Sequence, residues 1–263
     1  MSAFDTLAAR YDEDFTQTAT GRLQRAVVHA FLEHKIAPCA AVLELNCGTG
    51  EDAVWLARRG CRVLATDLSA EMVTYAAAKA RAAHLGDNIQ TQVLDIRALA
   101  ADPHLFSERR FDLILSNFGG LNCLSPADMQ CLGRVLPALL NPGGCFVAVV
   151  MGRFCWWETL YFIGKARPRS AFRRFSAQPV EARLDTFTQV STWYYTPASF
   201  GRFFPDLNKK TVQPVGFWLP PSYLDPWFAR WPGLLRGLNF LEKKCRGRLW
   251  AVAADHFLFF ACS

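Results

Sequence analysis

Nowhere in the 263 residues do apolar side chains run unbroken for the roughly 18 positions that a membrane-spanning helix needs. The first residues, MSAFDTLAARYDEDF, carry acids where a secretory leader carries an apolar stretch, so the expected location is the cytoplasm. No two of the nine cysteines stand as C-x-x-C, and none pairs with histidine at zinc-finger spacing. That sets aside a structural zinc site and a secreted disulfide framework, leaving no expected metal and reduced, mostly buried thiols. Histidine is scarce, with residues at 29, 34, 84, 104 and 256, and none presents itself as a general base. His84 and His104 are expected far from any ligand rim and His29 and His34 on an amphipathic helix; His256 beside Asp255 is the first to test. Repeats and low-complexity linkers are missing as well, which predicts one domain rather than two independent units.

Acidic residues are sparse only in the second part of the chain. Residues 1–150 hold 13 Lys and Arg against 16 Asp and Glu, whereas residues 151–263 hold 16 against 7. Of the 35 aromatic residues, 25 lie after position 150, including seven of the eight Trp. Two composition regimes imply two tasks. The expected division is a helical cap over 1–40, a ligand-binding core over 41–150, and a substrate cap with C-terminal strands over 151–263.

What is present in the first part is an alternation. LQRAVVHAFLEH (Leu23–His34) has helical apolar spacing, and AAVLEL is a short buried strand. EDAVWLARRG reads as a helix closed by Gly60, CRVLATD as a second strand, and AEMVTYAAAKARAA as a helix capped by Ser69. IQTQVLDI and RFDLILSNF are the third and fourth strands; PADMQCLGRVLPALL is a helix, and an NPGG turn leads into a fifth strand, CFVAVVM. Strands and helices in this rhythm predict a parallel sheet covered on both faces, with small ligands at the strands' carboxyl ends. In the second part WWETLYFIG reads as helix, FTQVSTWYYT as strand, TPASFGRFF as a short helix, KTVQPVGFWLPP and DHFLFFAC as strands, and DPWFARWPGLLRGLNFLEKKC as a broken helix.

The stretch VLELNCGTG (Val42–Gly50) joins the first strand to the next helix, and Gly48-Thr49-Gly50-Glu51-Asp52-Ala53 fits the G-x-G-x-x-G/A pattern with Asp67 some 17 residues on. By spacing alone this suits a dinucleotide as well as an adenosyl cofactor. Glu51 and Asp52 at the helix start are expected to repel a pyrophosphate, and Asp95 closes the third strand where an adenine amino group would be held.

On VLELNCGTG, VLATDLSAEMV, VLDIRAL and FDLILSNFGGLN the sequence resembles the class I S-adenosylmethionine-dependent methyltransferases over residues 1–150. The resemblance implies an α/β Rossmann-like sheet of seven strands, mostly parallel with the last antiparallel, and an aromatic, basic cap inserted after strand five. It implies S-adenosyl-L-methionine as cofactor and S-adenosyl-L-homocysteine as product. Glu44, Gly48 and Gly50 would face the methionine part, Asp67 the ribose, Leu68 and Met72 the adenine faces, and Asp95 with Ile96 the adenine amino edge. Asn117 and Phe118 would line the methyl opening, and Tyr11-Asp12 matches a pair that closes over the cofactor. Asn46 stands where the family has a glycine; asparagine tolerates a left-handed backbone and is expected to aim a donor at the cofactor carboxylate.

The acceptor is expected to be a small apolar, aromatic or acyl-bearing metabolite, contacted by Phe15, Asn122, Arg153, Trp156, Trp157 and Tyr161, with Arg153 and the Lys165–Arg174 cluster available to an acidic group. Its identity, the atom methylated and the oligomeric state are not legible. Other readings stand beside this one: RNA modification through the basic, aromatic half, membrane-surface contact by RFCWWETLYFIGKARPRSAFRRF, a non-catalytic nucleoside-binding module, and an NAD-dependent oxidoreductase.

Overall fold

The computed structural model describes residues 4–102, 105–106, 109–183 and 189–263; His104 and the first two residues of FTQVSTWYYT lie outside them. The five strands of the first part are β1 (Ala41–Leu45), β2 (Arg62–Asp67), β3 (Ile89–Val93), β4 (Phe111–Ser116) and β5 (Leu140–Met151). The second part adds a two-stranded ladder of β6 (Val180–Arg183) and β7 (Gln189–Thr192), then β8 (Asn208–Val215) and β9 (His256–Cys262). The main sheet runs β3-β2-β1-β4-β5-β9-β8, and β9, the last strand, runs opposite to the other six. The expected seven-stranded architecture is therefore present.

Both faces are buried, and strict alternation shows why. Leu43 and Leu45 of β1, Phe146, Ala148 and Val150 of β5, and Phe257 and Phe259 of β9 belong to one core. Val42, Val147, Val149, Leu258 and Phe260 belong to the core on the opposite face. Each such Leu or Phe contributes about 1.5–3 kcal/mol of transfer free energy.

Helix boundaries follow their caps. Thr18 accepts from the Gly21 amide, so the first long helix spans Ala19–Glu33 rather than starting at Leu23. Ser69 caps Ala70–Ala82 through the Met72 amide, as the sequence predicts. Ser125 and Asp128 form a capping box ahead of Pro126–Leu139.

Two expectations are corrected. NPGG is not a turn before the fifth strand: β5 begins at Leu140, and the residues bulge between the Phe111–Leu140 and Leu113–Cys145 pairings. Nor are all cysteines free: Cys145 and Cys262 are disulfide-bonded. They are partners across the antiparallel β5–β9 ladder with Cα atoms 4.0 Å apart, a proximity set by register that sequence spacing hides.

Candidate active site

β1 gives way to a loop in which three residues take positive φ: Asn46 at 51°, Gly48 at 53° and Gly50 at 79°. Gly50 is needed twice over, since a Cβ there would sit 2.8 Å from the Cβ of Ala76 on the neighbouring helix. Asn46 does hold the left-handed turn, but its amide is committed within the protein. Its Nδ2 donates to Asn117 O at 3.1 Å and its Oδ1 accepts from Ser116 Oγ at 2.7 Å, tying the loop to the end of β4.

The N-terminal segment lies across this loop. Asp12, in a π-helical turn over Asp12–Thr16, accepts from Thr49 Oγ1 at 2.5 Å and pairs with Lys79 Nζ at 2.8 Å, while Asp5 accepts from Ser69 Oγ at 2.6 Å. The Tyr11 ring comes within 3.5 Å of where a Gly48 side chain would begin. Burial pushes its hydroxyl up to about 12 despite Arg25 nearby. Tyr11 and Phe118 border both the small space over the glycine loop and a larger cavity beside it.

Behind the loop lies a buried ionic cluster that sequence reasoning missed. Arg25 pairs with Asp52, His29 Nε2 approaches Asp52 Oδ1 at 2.6 Å, and Asn117 Nδ2 donates to Asp52 Oδ2 at 2.9 Å. Burial alone would raise the Asp52 carboxyl; Arg25 and His29 instead hold it well below the usual range. Glu51 pairs with Lys79 at 3.1 Å. Of the two acids expected to repel a pyrophosphate, Asp52 is compensated within the protein, whereas Glu51 shares the Lys79 ammonium with Asp12. The polar residues Gln24, Arg25 and His29 interrupting a helix otherwise read as amphipathic were the signal available for this.

Glu44 is 1% exposed, and its Oε2 has no hydrogen-bond partner. Burial, reinforced by the Asp52 charge, pushes its carboxyl well above the ordinary value. An unpaired buried carboxyl at the foot of a glycine loop suits a cationic group such as an α-ammonium. Asp67, at the end of β2, accepts from Gly48 N and Ser69 N, both at 2.9 Å, and burial outweighs these donors to raise its carboxyl. Leu68 is exposed and Met72 buried beside it. Asp95 lies two residues beyond β3 and is gripped by Arg97, whose side-chain hydrogen bonds lower it more than partial burial raises it; Ile96 is half-buried against the core. A nucleoside with a cationic amino-acid tail fits this set: an acid on β2 for vicinal hydroxyls, an open glycine, and an unpaired acid on β1.

The larger cavity, about 370 Å³, opens at the carboxyl ends of β4 and β5. Phe15, Phe118, Met151, Tyr194, Tyr223 and His256 are among its walls. Its polar side is a buried ion cluster: Arg174 reaches Glu158 Oε2 at 2.7 Å and Asp255 Oδ1 at 2.8 Å, and Arg173 Nε reaches Glu158 Oε1 at 2.9 Å. His256 Nδ1 lies 3.3 Å from Asp255 Oδ2 without an aligned hydrogen bond. Two guanidiniums meet two carboxylates, so Arg173 and Arg174, two of the cations that the sequence offers to an acidic acceptor, are already paired.

Of the six residues expected to touch the acceptor, only Phe15 lines the cavity. Asn122 is fully buried, its amide bonded to Met151 O and Trp193 O, so it clamps β5 to the chain beyond β7. Arg153 donates to Phe175 O. Trp156 and Trp157 both donate to Phe217 O and pack with their rings tilted by 32° and centroids 4.4 Å apart; Tyr161 packs on Phe162 and Tyr223. These aromatics build the cap. Tyr194, Tyr223 and His256 take the places at the cavity, brought there by tertiary folding from distant segments.

Residues 42–144 match the methyltransferase domain family model. The chain is 31% identical over 145 residues to the tRNA 5-carboxymethoxyuridine methyltransferase of Escherichia coli, covering 54% of this chain and 53% of that protein. It is 28% identical over 221 residues to the ubiquinone/menaquinone biosynthesis C-methyltransferase of Geotalea daltonii, covering 81% and 86%. The chain thus spans about half the length of the first of these relatives. Among solved structures, the geranyl diphosphate C-methyltransferase of Streptomyces coelicolor, crystallised with S-adenosyl-L-homocysteine, superposes with a TM-score of 0.57 at 16% identity over 92% of this chain and 79% of that one. The DhpI complex with S-adenosyl-L-homocysteine gives 0.58 at 18% identity over 99% and 92%. Residues 42–144 thus match a methyltransferase domain, and the strand order, the glycine loop and Asp67 stand in the fold that these solved methyltransferase structures share.

Proposed function

We propose that this protein transfers the methyl group of S-adenosylmethionine to a small, uncharged, largely apolar acceptor held in the 370 Å³ cavity. The observation that carries the proposal is the position of Tyr11 and Phe118, which border both the space over the glycine loop and the cavity, so that a donor on one side faces an acceptor on the other.

Asp67 would take the ribose hydroxyls, Glu44 the ammonium, and Gly48 and Gly50 the close backbone approach. Leu68 and Met72 would flank the adenine, with Asp95 and Ile96 at its amino edge, while Asn46 and Asn117 brace the loop. The cofactor supplies a sulfonium methyl, and the main demand on the protein is alignment at near-attack distance. The space over the glycine loop in the closed form, about 20 Å³, holds about one water. A nucleoside therefore enters when the segment carrying Tyr11 and Asp12 lifts and is enclosed when it returns, which keeps water from the transferring methyl.

The aromatic walls and internally paired arginines favour a neutral acceptor over an acid. The tRNA-methylating relative supports a second reading, an RNA acceptor, against which a cavity of about 370 Å³ walled by Phe15, Phe118 and Tyr223 favours a compact molecule. Isothermal titration with S-adenosyl-L-homocysteine, then turnover assays with neutral phenols and quinols against bulk tRNA, test both levels. Micromolar-range binding and turnover of the small acceptors alone are expected. Tighter binding of NAD ends the account.

A further inference from the structure

The outer surface of the cap has a composition that neither the cofactor site nor the acceptor cavity uses. Over residues 227–252, Trp227, Trp231, Leu234, Phe240, Leu249 and Trp250 are all exposed, Leu249 at 90%. A monomer in water rarely leaves so many large apolar side chains exposed within 26 residues without a use for them. The same stretch holds Arg230, Arg236, Lys243, Lys244, Arg246 and Arg248 against one acid, Glu242. Glu242 is buried, its oxygens accepting from the amides of Gly216, Phe217, Trp218 and Leu219, so it offsets none of that charge at the surface.

The helix Pro232–Lys244 shows how the surface is built. Leu235, Leu238 and Glu242, at helical spacing, face inward, where Leu235 and Leu238 meet Trp157, Leu219 and Phe228 in a small core. Leu234, Phe240 and Leu241 are turned outward among Arg236, Lys243 and Lys244, and Lys244 Nζ sits 4.2 Å over the Phe240 ring. Four residues before Trp227, Tyr223 is exposed as well, and its ring packs on Tyr161, which lies between the exposed Leu160 and Ile163 in the chain. Tyr223 also lines the acceptor cavity.

We propose that this face docks on an anionic phospholipid surface, with its Trp, Phe and Leu side chains in the headgroup boundary and its cations on the lipid phosphates. Charge complementarity selects this occupant. A second copy of the chain in a symmetric pair would bring like cations together, and a nucleic acid would pair the cations but leave Leu234, Leu241 and Leu249 without hydrocarbon. Tryptophan beside Lys and Arg is the composition that interfacial helices use. The docking deepens the methyltransferase reading and rests on it in one respect: with Tyr223 at both surface and cavity, an apolar acceptor passes from bilayer to site without crossing water.

Flotation of the full chain with phosphatidylcholine vesicles, with and without phosphatidylglycerol, tests this. The protein is expected to float only with phosphatidylglycerol, less so as salt rises, and with a blue shift of tryptophan emission. Arg246→Glu with Arg248→Glu should weaken partitioning by about 30-fold or more, from the roughly fivefold that each basic residue contributes near an anionic surface. Trp231→Ser with Leu249→Ser should weaken partitioning and diminish the blue shift; both positions are exposed, and unchanged thermal melting reports intact folding. Equal flotation of parent and both double variants, no flotation at all, or capture by tRNA with none by vesicles would overturn the proposal. Homocysteine-product binding measured on the same preparations separates the two levels. Vesicle binding without it leaves the docking standing and removes the methyltransferase reading; the reverse removes the docking alone.

Discussion

Asp67 Oδ2 accepts the backbone amide of Gly48 at 2.9 Å, joining the end of β2 to the turn of the glycine loop. The acid proposed to hold the ribose is thus aimed by the loop proposed to hold the methionine part, with Oδ1 fixed by Ser69 N at 2.9 Å. Asp67→Ala is expected to weaken S-adenosyl-L-homocysteine binding tenfold or more by calorimetry, since a charged acceptor is worth about 1.5–3 kcal/mol. Equal affinity in the variant would contradict the cofactor assignment.

Glu44 gives a proton-linkage test. Its carboxyl is raised in the free protein, burial being the largest cause, and a cationic ligand group beside it lowers that value. Binding should therefore release a proton, and affinity should rise with pH through the raised value. Calorimetry in buffers of different ionisation heat is expected to show release in the parent and none in Glu44→Gln.

The segment proposed to lift is tied down at Asp12, which holds Thr49 and Lys79 across the glycine loop. These groups are partly exposed, so the contact is worth about 1 kcal/mol after solvent screening. Asp12→Ala should speed dissociation of the homocysteine product about fivefold in stopped-flow displacement, with a smaller change in association. An unchanged off-rate would mean that the segment does not gate the site.

The buried pairs predict acid sensitivity with a definite sign. Burial opposes ionisation of Asp52 and Asp255, yet Arg25 and His29 at the first, and His256 and Arg174 at the second, hold both carboxyls below the ordinary range. Their stabilisation is present above the unfolded value near pH ~4 and is lost as pH falls toward the lower folded values. Thermal melts should fall steeply below pH ~4. Asp52→Asn should already cost about 3–5 kcal/mol at neutral pH by leaving Arg25 buried without its charge partner.

Much of the donor half was legible in the chain. The parallel strands of VLEL, VLATD and LILS announce themselves as apolar runs, because strands covered on both faces need no polar alternation. Ser69 was legible as a cap and Gly48 and Gly50 as a left-handed turn, since these demands are met within a few residues. The residues lining the larger cavity were not. Trp156, Trp157 and Tyr161 drew attention by their position after β5, yet they pack as a cap, while Tyr194, Tyr223 and His256 reach the cavity from three separate segments.

By itself, then, the sequence determined the sheet, the glycine turn and the acid at the end of β2, because local spacing and backbone conformation dictate them. Tertiary structure alone decided that Arg25 silences Asp52, that Glu158 and Asp255 neutralise Arg174 and Glu158 also Arg173, and that Cys145 meets Cys262. Those outcomes depend on which distant side chains share a buried volume, and a charge or thiol is compensated by whatever stands within a few ångströms, however far away it lies along the chain.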